Sequence, residues 1–386
     1  MTKILQILSI KGRLSQIKNI VIWDFPLKFT NGQTTGPIGP VFFDLVSKCS
    51  NIQRLALGKG RNVFDCSVDD FLKLKKCTNL EFFEIDHFHL DCVALSVLEN
   101  MPNMRSCRMR GFDGTTGPSV LQSIQKSQGL KKIGFWQGKG NILVRDFFGL
   151  SGMNLVELIL SSCILIGSPE HKQQLKEQED QSEKEIDDEN TKAFEVLQKM
   201  PLKHLGLFFT EIPNKHFAQL LEIKTLTSLH VGGCWLLDNE LLKKLEKLPL
   251  INLSLSRSST ISRNGIAYIS KTNISTLRIS NCPMIQDHDL EPLVHMDSLT
   301  RLDLDNLQNI TNVAIKNTLV CCKNVSFIVL LDLSKITDDG IVNFENLSAL
   351  KNITVKKCIN ITKKGIEIIP TKNNNIRYRN VGVQTS

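Results

Sequence analysis

Apolar residues recur along this chain in one fixed order. Leu299-x2-Leu302-x-Leu304-x2-Leu307-x2-Ile310-Thr311-x3-Ile315 shows it most fully, and Val325-x2-Ile328-x-Leu330-x2-Leu333-x2-Ile336-Thr337-x3-Ile341 repeats it one unit on. Upstream, Ile274-x2-Leu277-x-Ile279-x2-Cys282-x2-Ile285 is the same text reworded. Thirteen such cores can be aligned, from Ile17/Ile20/Ile22 to Leu350/Ile353/Val355, at spacings mostly of 24 to 28 residues. A fixed period of this size takes precedence over residue-by-residue propensity, because each unit must bury its apolar face against its neighbours.

Within a unit, Leu302-x-Leu304 alternates with period two, which places both leucines on one face of a short strand. A turn and a stretch of helical spacing follow. The clearest helix is expected over Asp238–Leu248, with Asp238 as cap and Leu241, Leu242, Leu245 and Leu248 as one apolar stripe. Strand and helix alternating in one direction predict an α/β solenoid: a parallel sheet on a concave inner face, helices on the convex outer face, about 13 repeats.

Three departures mark loops and ends. NGQTTGPIGP between the first two strands reads as a Gly/Pro loop, with a shorter echo at Phe112–Ser119. Between the sixth and seventh strands, residues 168–192 carry nine acidic residues against four lysines with no evident apolar period, and are expected to be a disordered acidic insert. Residues 1–13 are expected to form an N-terminal capping helix, residues 14–370 the repeat domain, and residues 371–386 an edge strand over Asn375–Arg379 followed by a tail.

Composition refines this picture in a few places. An apolar content of 41% suffices for a continuous core, and no run of about 18 apolar residues suggests a membrane span. The opening MTKILQILSIKGRLSQ lacks a small-residue cleavage site, so the expected location is cytoplasmic or nuclear. The 11 cysteines hold repeated register. Cys163, Cys234, Cys282 and Cys358 follow the second strand position by three residues, and Cys49, Cys77 and Cys322 precede the first by three. A repeated register implies buried apolar thiols rather than disulfides or zinc ligands.

The unit pattern resembles the cysteine-containing leucine-rich repeat of F-box/LRR and AMN1-like proteins. The residues that carry the resemblance are Cys234, Cys282, Cys358, Ile310-Thr311, Ile336-Thr337 and Ile361-Thr362, and it is strongest over Leu226–Ile369. It implies a right-handed leucine-rich-repeat horseshoe that binds proteins, often as the substrate receptor of a ubiquitin ligase. Too few residues precede the first unit to supply an F-box, so the chain is expected to correspond to the repeat half.

No phosphate loop, His-Glu-x2-His or Gly-x-Ser-x-Gly motif is present, and no catalytic constellation is expected. Asp86-His87-Phe88-His89 resembles a metal site only weakly, and neither metal nor cofactor is expected. Recognition would fall to the side chains flanking the strand leucines. The residue types that dominate binding energetics single out Arg108, Arg110, Lys132 and Trp136 as a basic and aromatic patch. His204, Phe208, His230, Arg278, Arg301, Asp303, Asp305 and Phe327 complete the candidate surface. Phe327, Val329 and Leu331 form an apolar strip that suggests a partner or a covering C-terminal tail.

The net charge of +8 would allow phosphate binding, but acids interleave with the bases on that face and aromatics are few. The expected function is a non-enzymatic scaffold or adaptor, monomeric alone, that binds a protein or peptide partner. Alternatives are the substrate-recognition component of a ubiquitin ligase, with ligase components as partners, and a regulator of a small GTPase.

Overall fold

A computed structural model describes residues 12–23, 29–30, 33–34, 40–58, 67–86, 96–99, 101–110, 120–136, 142–161, 163–164, 183–208, 212–233, 237–368 and 377–380. The expected capping helix over residues 1–13 falls almost wholly outside these residues, as do His87, Phe88, His89 and most of both Gly/Pro loops. The chain divides into two compact units, Met1–Leu207 and Phe208–Ser386.

The first unit is built on strands β1 Asn19–Trp23, β2 Arg54–Gly58, β3 Phe82–Asp86, β4 Ser106–Arg110, β5 Lys132–Trp136 and β6 Glu157–Ser161. It ends within β7, His204–Phe208. Strands β1 to β6 pair in parallel with their sequence neighbours, in a register that aligns Leu55, Phe83, Cys107, Ile133 and Leu158 in one column. Those side chains are at most 1% exposed, so the period-two alternation is what fixes register: a one-residue slip would turn the column to solvent. Phe42, Phe43, Phe71 and Phe83 continue the core toward the helices in a chain of edge-to-face contacts at 5.5, 6.0 and 5.6 Å.

The end of the acidic insert departs from expectation, while residues 168–182 lie outside the described residues. Glu183–Gln198 is a helix, so residues 183–192 are ordered. Ile186, Ala193, Phe194 and Leu197 fall on one helical face, and the last three are fully buried. Phe194 meets Phe147 edge-to-face at 5.7 Å. Four apolar side chains on one stripe offset the entropy of ordering a segment whose opposite face is charged.

The second unit carries β8 Ser228–Gly232, β9 Asn252–Ser256, β10 Thr276–Ser280, β11 Arg301–Asp305, β12 Phe327–Leu331, β13 Asn352–Lys356 and β14 Arg377–Asn380, all parallel and paired in order. The described edge strand thus overlaps the expected Asn375–Arg379 and runs one residue further. Strands β8 to β13 end the same way. Arg257, Asn281, Asn306, Asp332 and Lys357 have φ between 48° and 59°, and Gly233 has φ 87°. The left-handed turn lets the N–H of Asn281 donate to Asp305 O, and that of Asn306 to Leu331 O, each at 2.9 Å.

The expected Asp238–Leu248 helix is α-helical only over Asn239–Lys243 and tightens to a 3-10 helix over Lys244–Lys247. Asp238 does cap it, accepting from Leu241 N at 2.9 Å, and the four leucines are buried. A 3-10 turn rises faster per residue than an α turn, which returns the chain to the next strand within a short repeat.

Adjacent helices are tied at their caps. The first helical residue of one repeat bonds the N-cap of the next: Asn214 Nδ2 to Asp238 Oδ2 at 2.6 Å, and Asn239 Nδ2 to Ser262 Oγ at 3.0 Å. Thr311 donates its N–H and hydroxyl to Asp287 at 2.7 and 2.6 Å, and Thr362 does the same to Asp338 at 2.8 and 2.6 Å. Asn312 Nδ2 donates to Thr337 Oγ1 at 2.8 Å. The glycine three residues after the cap makes room for the incoming side chain. A Cβ at Gly340 would strike the Asn312 carboxamide, and one at Gly365 the Asp338 carboxylate. At Ser262–Ile269 the direction reverses: Asp289 of the following repeat accepts from Arg263 N at 2.7 Å.

Cys49, Cys77, Cys107, Cys282, Cys322 and Cys358 are free and buried, in keeping with their register, whereas Cys321 is exposed. Burial pushes the thiols of Cys77, Cys107 and Cys322 up to about 12. Cys163 and Cys234 lie outside the described side chains.

Candidate functional site

The face of each sheet turned away from the helices carries the residues that alternate with the core columns. In the first unit the expected basic patch is present, but it is not free charge. Arg108 on β4 reaches past β5 to Glu157 on β6, Nη2 to Oε1 at 2.6 Å, and Lys132 lies 3.5 Å from the other oxygen of the same carboxylate. Arg110 stands 3.9 Å from Asp86 and 5.1 Å from the Trp136 ring. Arg54 lies over Phe82 at 4.2 Å. Two nearly buried carboxylates therefore hold three cations upright, and the aromatic rings stiffen them.

Gly134 explains the posture of Trp136. The indole folds back along its own strand onto the glycine, where a Cβ would collide with the ring. Glu157 and Gly134 were not among the residues singled out by type, and Asp86 was singled out only with His87 and His89. Their signal lies in register, since Lys132 pairs with Glu157, Asp86 with Arg110, and Arg108 with Gly134. His204 is half-buried on β7.

In the second unit an open depression of ≈ 490 Å³ brings together Phe208, His230, Arg278, Arg301, Asp303 and Asp305. Its floor is made by small side chains in one row across the strands, Gly232, Ser256 and Ser280, with Ser254 beside them. Phe208 leans over Gly232, whose hypothetical Cβ would lie 3.0 Å from the ring. His230 Nε2 is 3.0 Å from Ser228 Oγ. The far wall is two ion pairs. Arg278 Nη2 donates to Asp305 at 2.7 Å, and Arg301 grips Asp303 through Nε and Nη2 at 2.9 and 3.0 Å.

Phe327 lies outside the depression, beneath the Arg301 guanidinium at 4.1 Å. The expected apolar strip is accordingly modest: Phe327 and Leu331 are half-buried and Val329 is 8% exposed. The described tail residues Arg377–Asn380 pair alongside β13 and so extend the sheet instead of covering the strip.

This arrangement supplies fixed hydrogen-bond donors and acceptors on a rigid sheet. Among the described residues, no three His, Cys, Asp or Glu side chains are grouped to hold a metal ion. Among them, too, no helix is long and apolar enough to cross a membrane.

No family model and no curated protein sequence matches the chain. Solved structures do. A chain in the crystal structure of the Rad7 and Elc1 complex in yeast is 18% identical with a TM-score of 0.60, over 98% of this chain and 87% of that one. An internalin (inlF) from Listeria monocytogenes is 13% identical with a TM-score of 0.42, over 99% of this chain and 93% of that one. With the repeated strand register and the helices behind it, the likeness to the first defines the class: this is a leucine-rich-repeat solenoid.

Proposed function

We propose that this solenoid is a non-catalytic protein-binding scaffold or adaptor that recognises a protein or peptide partner on the open face of its sheet. The observation that carries this reading is the pre-positioning of the face. The five site cations Arg108, Arg110, Lys132, Arg278 and Arg301 each stand within salt-bridge distance of a carboxylate and are no more than about half exposed. Side chains already held lose little entropy when a partner docks, so shape and charge can be spent on affinity. Trp136 and the arginines are the types expected to act as anchors.

The test is a pull-down comparing the wild type with Arg110→Glu, Trp136→Ala and Arg278→Glu on the open face and Lys316→Glu on the helix side. Loss of the same partner with the open-face variants alone supports the reading. Retention of every partner by all three would overturn it.

A second reading follows from the repeat wording rather than from the geometry. The resemblance to F-box/LRR proteins supports a role as the substrate-recognition component of a ubiquitin ligase, and the Rad7–Elc1 structure offers a fold-level precedent for such a solenoid held in a complex with a second protein. Co-purification with a cullin adaptor is the measurement that separates it from a free-standing scaffold.

A further inference from the structure

The depression in the second unit has a direction and a charge order that define what fits it. Gly232, Ser256, Ser280 and Asp305 are register mates on successive strands, so the small-residue floor runs across the strands and closes against Asp305. Phe208 bounds the other end. Along the sides, cations lie outermost. The Arg278 and Arg301 side chains are 43% and 38% exposed, whereas their partners Asp305 and Asp303 are 21% and 12% exposed. Arg257, also exposed, lines the same opening. A ligand entering from solvent therefore meets guanidinium groups before carboxylates.

The two ion pairs differ in what they leave available. Arg301 commits Nε and Nη2 to Asp303 and lays its plane on Phe327, which fixes it as wall. Among the described hydrogen bonds Arg278 donates only Nη2, to Asp305, so its remaining donors stay open on a side chain that lines the depression. A guanidinium with open donors beside an ordered acid binds a second carboxylate in charge-assisted geometry.

Resting on the reading that the open face binds protein, we propose that this trough takes an extended acidic segment of the partner. An Asp or Glu side chain meets Arg278, and an apolar side chain packs against Phe208. The Phe208 ring stands over β8 and the Arg278 guanidinium leans from β10 toward β11, a separation of roughly 12 Å, or about three to four residues of extended chain. The serine floor offers hydroxyls to the intervening backbone.

The experiment uses the full chain and a phage-displayed library of random dodecapeptides as the probe. The expected result is enrichment of peptides with an aromatic or aliphatic residue three or four positions from an acid. Their binding should fall about tenfold with Arg278→Gln and with Phe208→Ala. Ser256→Tyr, which fills the floor and leaves every charge in place, should abolish it, and thermal melts confirm that each variant folds. Enriched peptides without an acid, or ones indifferent to all three substitutions, overturn the proposal, as does an empty selection. Displacement of bound peptide by oligothymidylate at equal concentration would also overturn it, in favour of a nucleic-acid surface. Peptides lost with Arg110→Glu but not with Arg278→Gln would sink this inference while leaving the open-face reading intact.

Discussion

Glu157 binds Arg108 across an intervening strand at 2.6 Å, with only 9% of the glutamate side chain exposed. One carboxylate, shared with Lys132, thus offsets two of the cations of the first-unit face. Glu157→Ala should lower unfolding free energy by about 1–2 kcal/mol, less than for a fully buried pair because solvent screens the released arginine. It should also make the first-unit face more basic, with tighter, salt-sensitive retention on heparin. Urea titration and a salt elution series read the two effects separately.

Gly134→Ala should disturb Trp136 more than the fold. Alanine suits a strand as well as glycine does, so stability should change by less than about 1 kcal/mol. The new Cβ occupies the place of the indole ring. With Trp23 and Trp235 replaced by Phe, emission from Trp136 should shift to the red as the ring is lifted into water. An unchanged spectrum would show that the ring does not rest on the glycine.

Removal of a cap acceptor should be felt in the neighbouring repeat. Asp287→Ala leaves the N–H and hydroxyl of Thr311 without their acceptor and should cost about 1–2 kcal/mol. Asp287→Asn should restore most of it, since Asn312 serves Thr337 in that way, accepting its N–H at 3.0 Å and donating to its hydroxyl at 2.8 Å. Hydrogen exchange at the Thr311 amide distinguishes a local loss from a global one.

Thiol chemistry should divide the described cysteines sharply. At pH 8, Cys321 should be alkylated in the folded protein while Cys49, Cys77, Cys107, Cys282, Cys322 and Cys358 stay protected until denaturant is added. Burial raises these buried thiols above the ordinary value of 9.0, to about 11 for Cys49 and Cys282 and about 12 for Cys77, Cys107 and Cys322. The folded state then holds protons that the unfolded chain releases. The stability gained is fully present below pH 9 and declines between about 9 and 12 as pH rises. Denaturant midpoints on the alkaline side, with peptide mapping of the labelled sites, check both statements.

The strands were legible because a period of two is read directly from the leucine columns. All thirteen cores, from Ile20/Ile22 to Ile353/Val355, lie in strands. The helix at Glu183–Gln198 was not legible, because the acidic residues of its outer face dilute the stripe of Ile186, Ala193, Phe194 and Leu197. The candidate cations were found by type, and so were Asp303 and Asp305, the partners of Arg301 and Arg278, but the pairing of Arg108 with Glu157 was not. Glu157 is 49 residues from Arg108, and only the strand register brings them together. The depression was missed for a related reason: Gly232, Ser256 and Ser280 matter for what they lack, and no residue scale scores an empty space between Phe208 and Arg278.

The cap ties of the second unit also have a polarity. From Asp287 onward, among the described residues, a side chain from each upstream repeat completes the helix start of the one below it, and the reverse does not occur. Trimming from the C-terminal side therefore takes no cap partner from the helix starts that remain, whereas a break upstream disarms the helix that follows. The repeats from Asp287 onward should peel from the C-terminal end in single-molecule pulling, one repeat at a time.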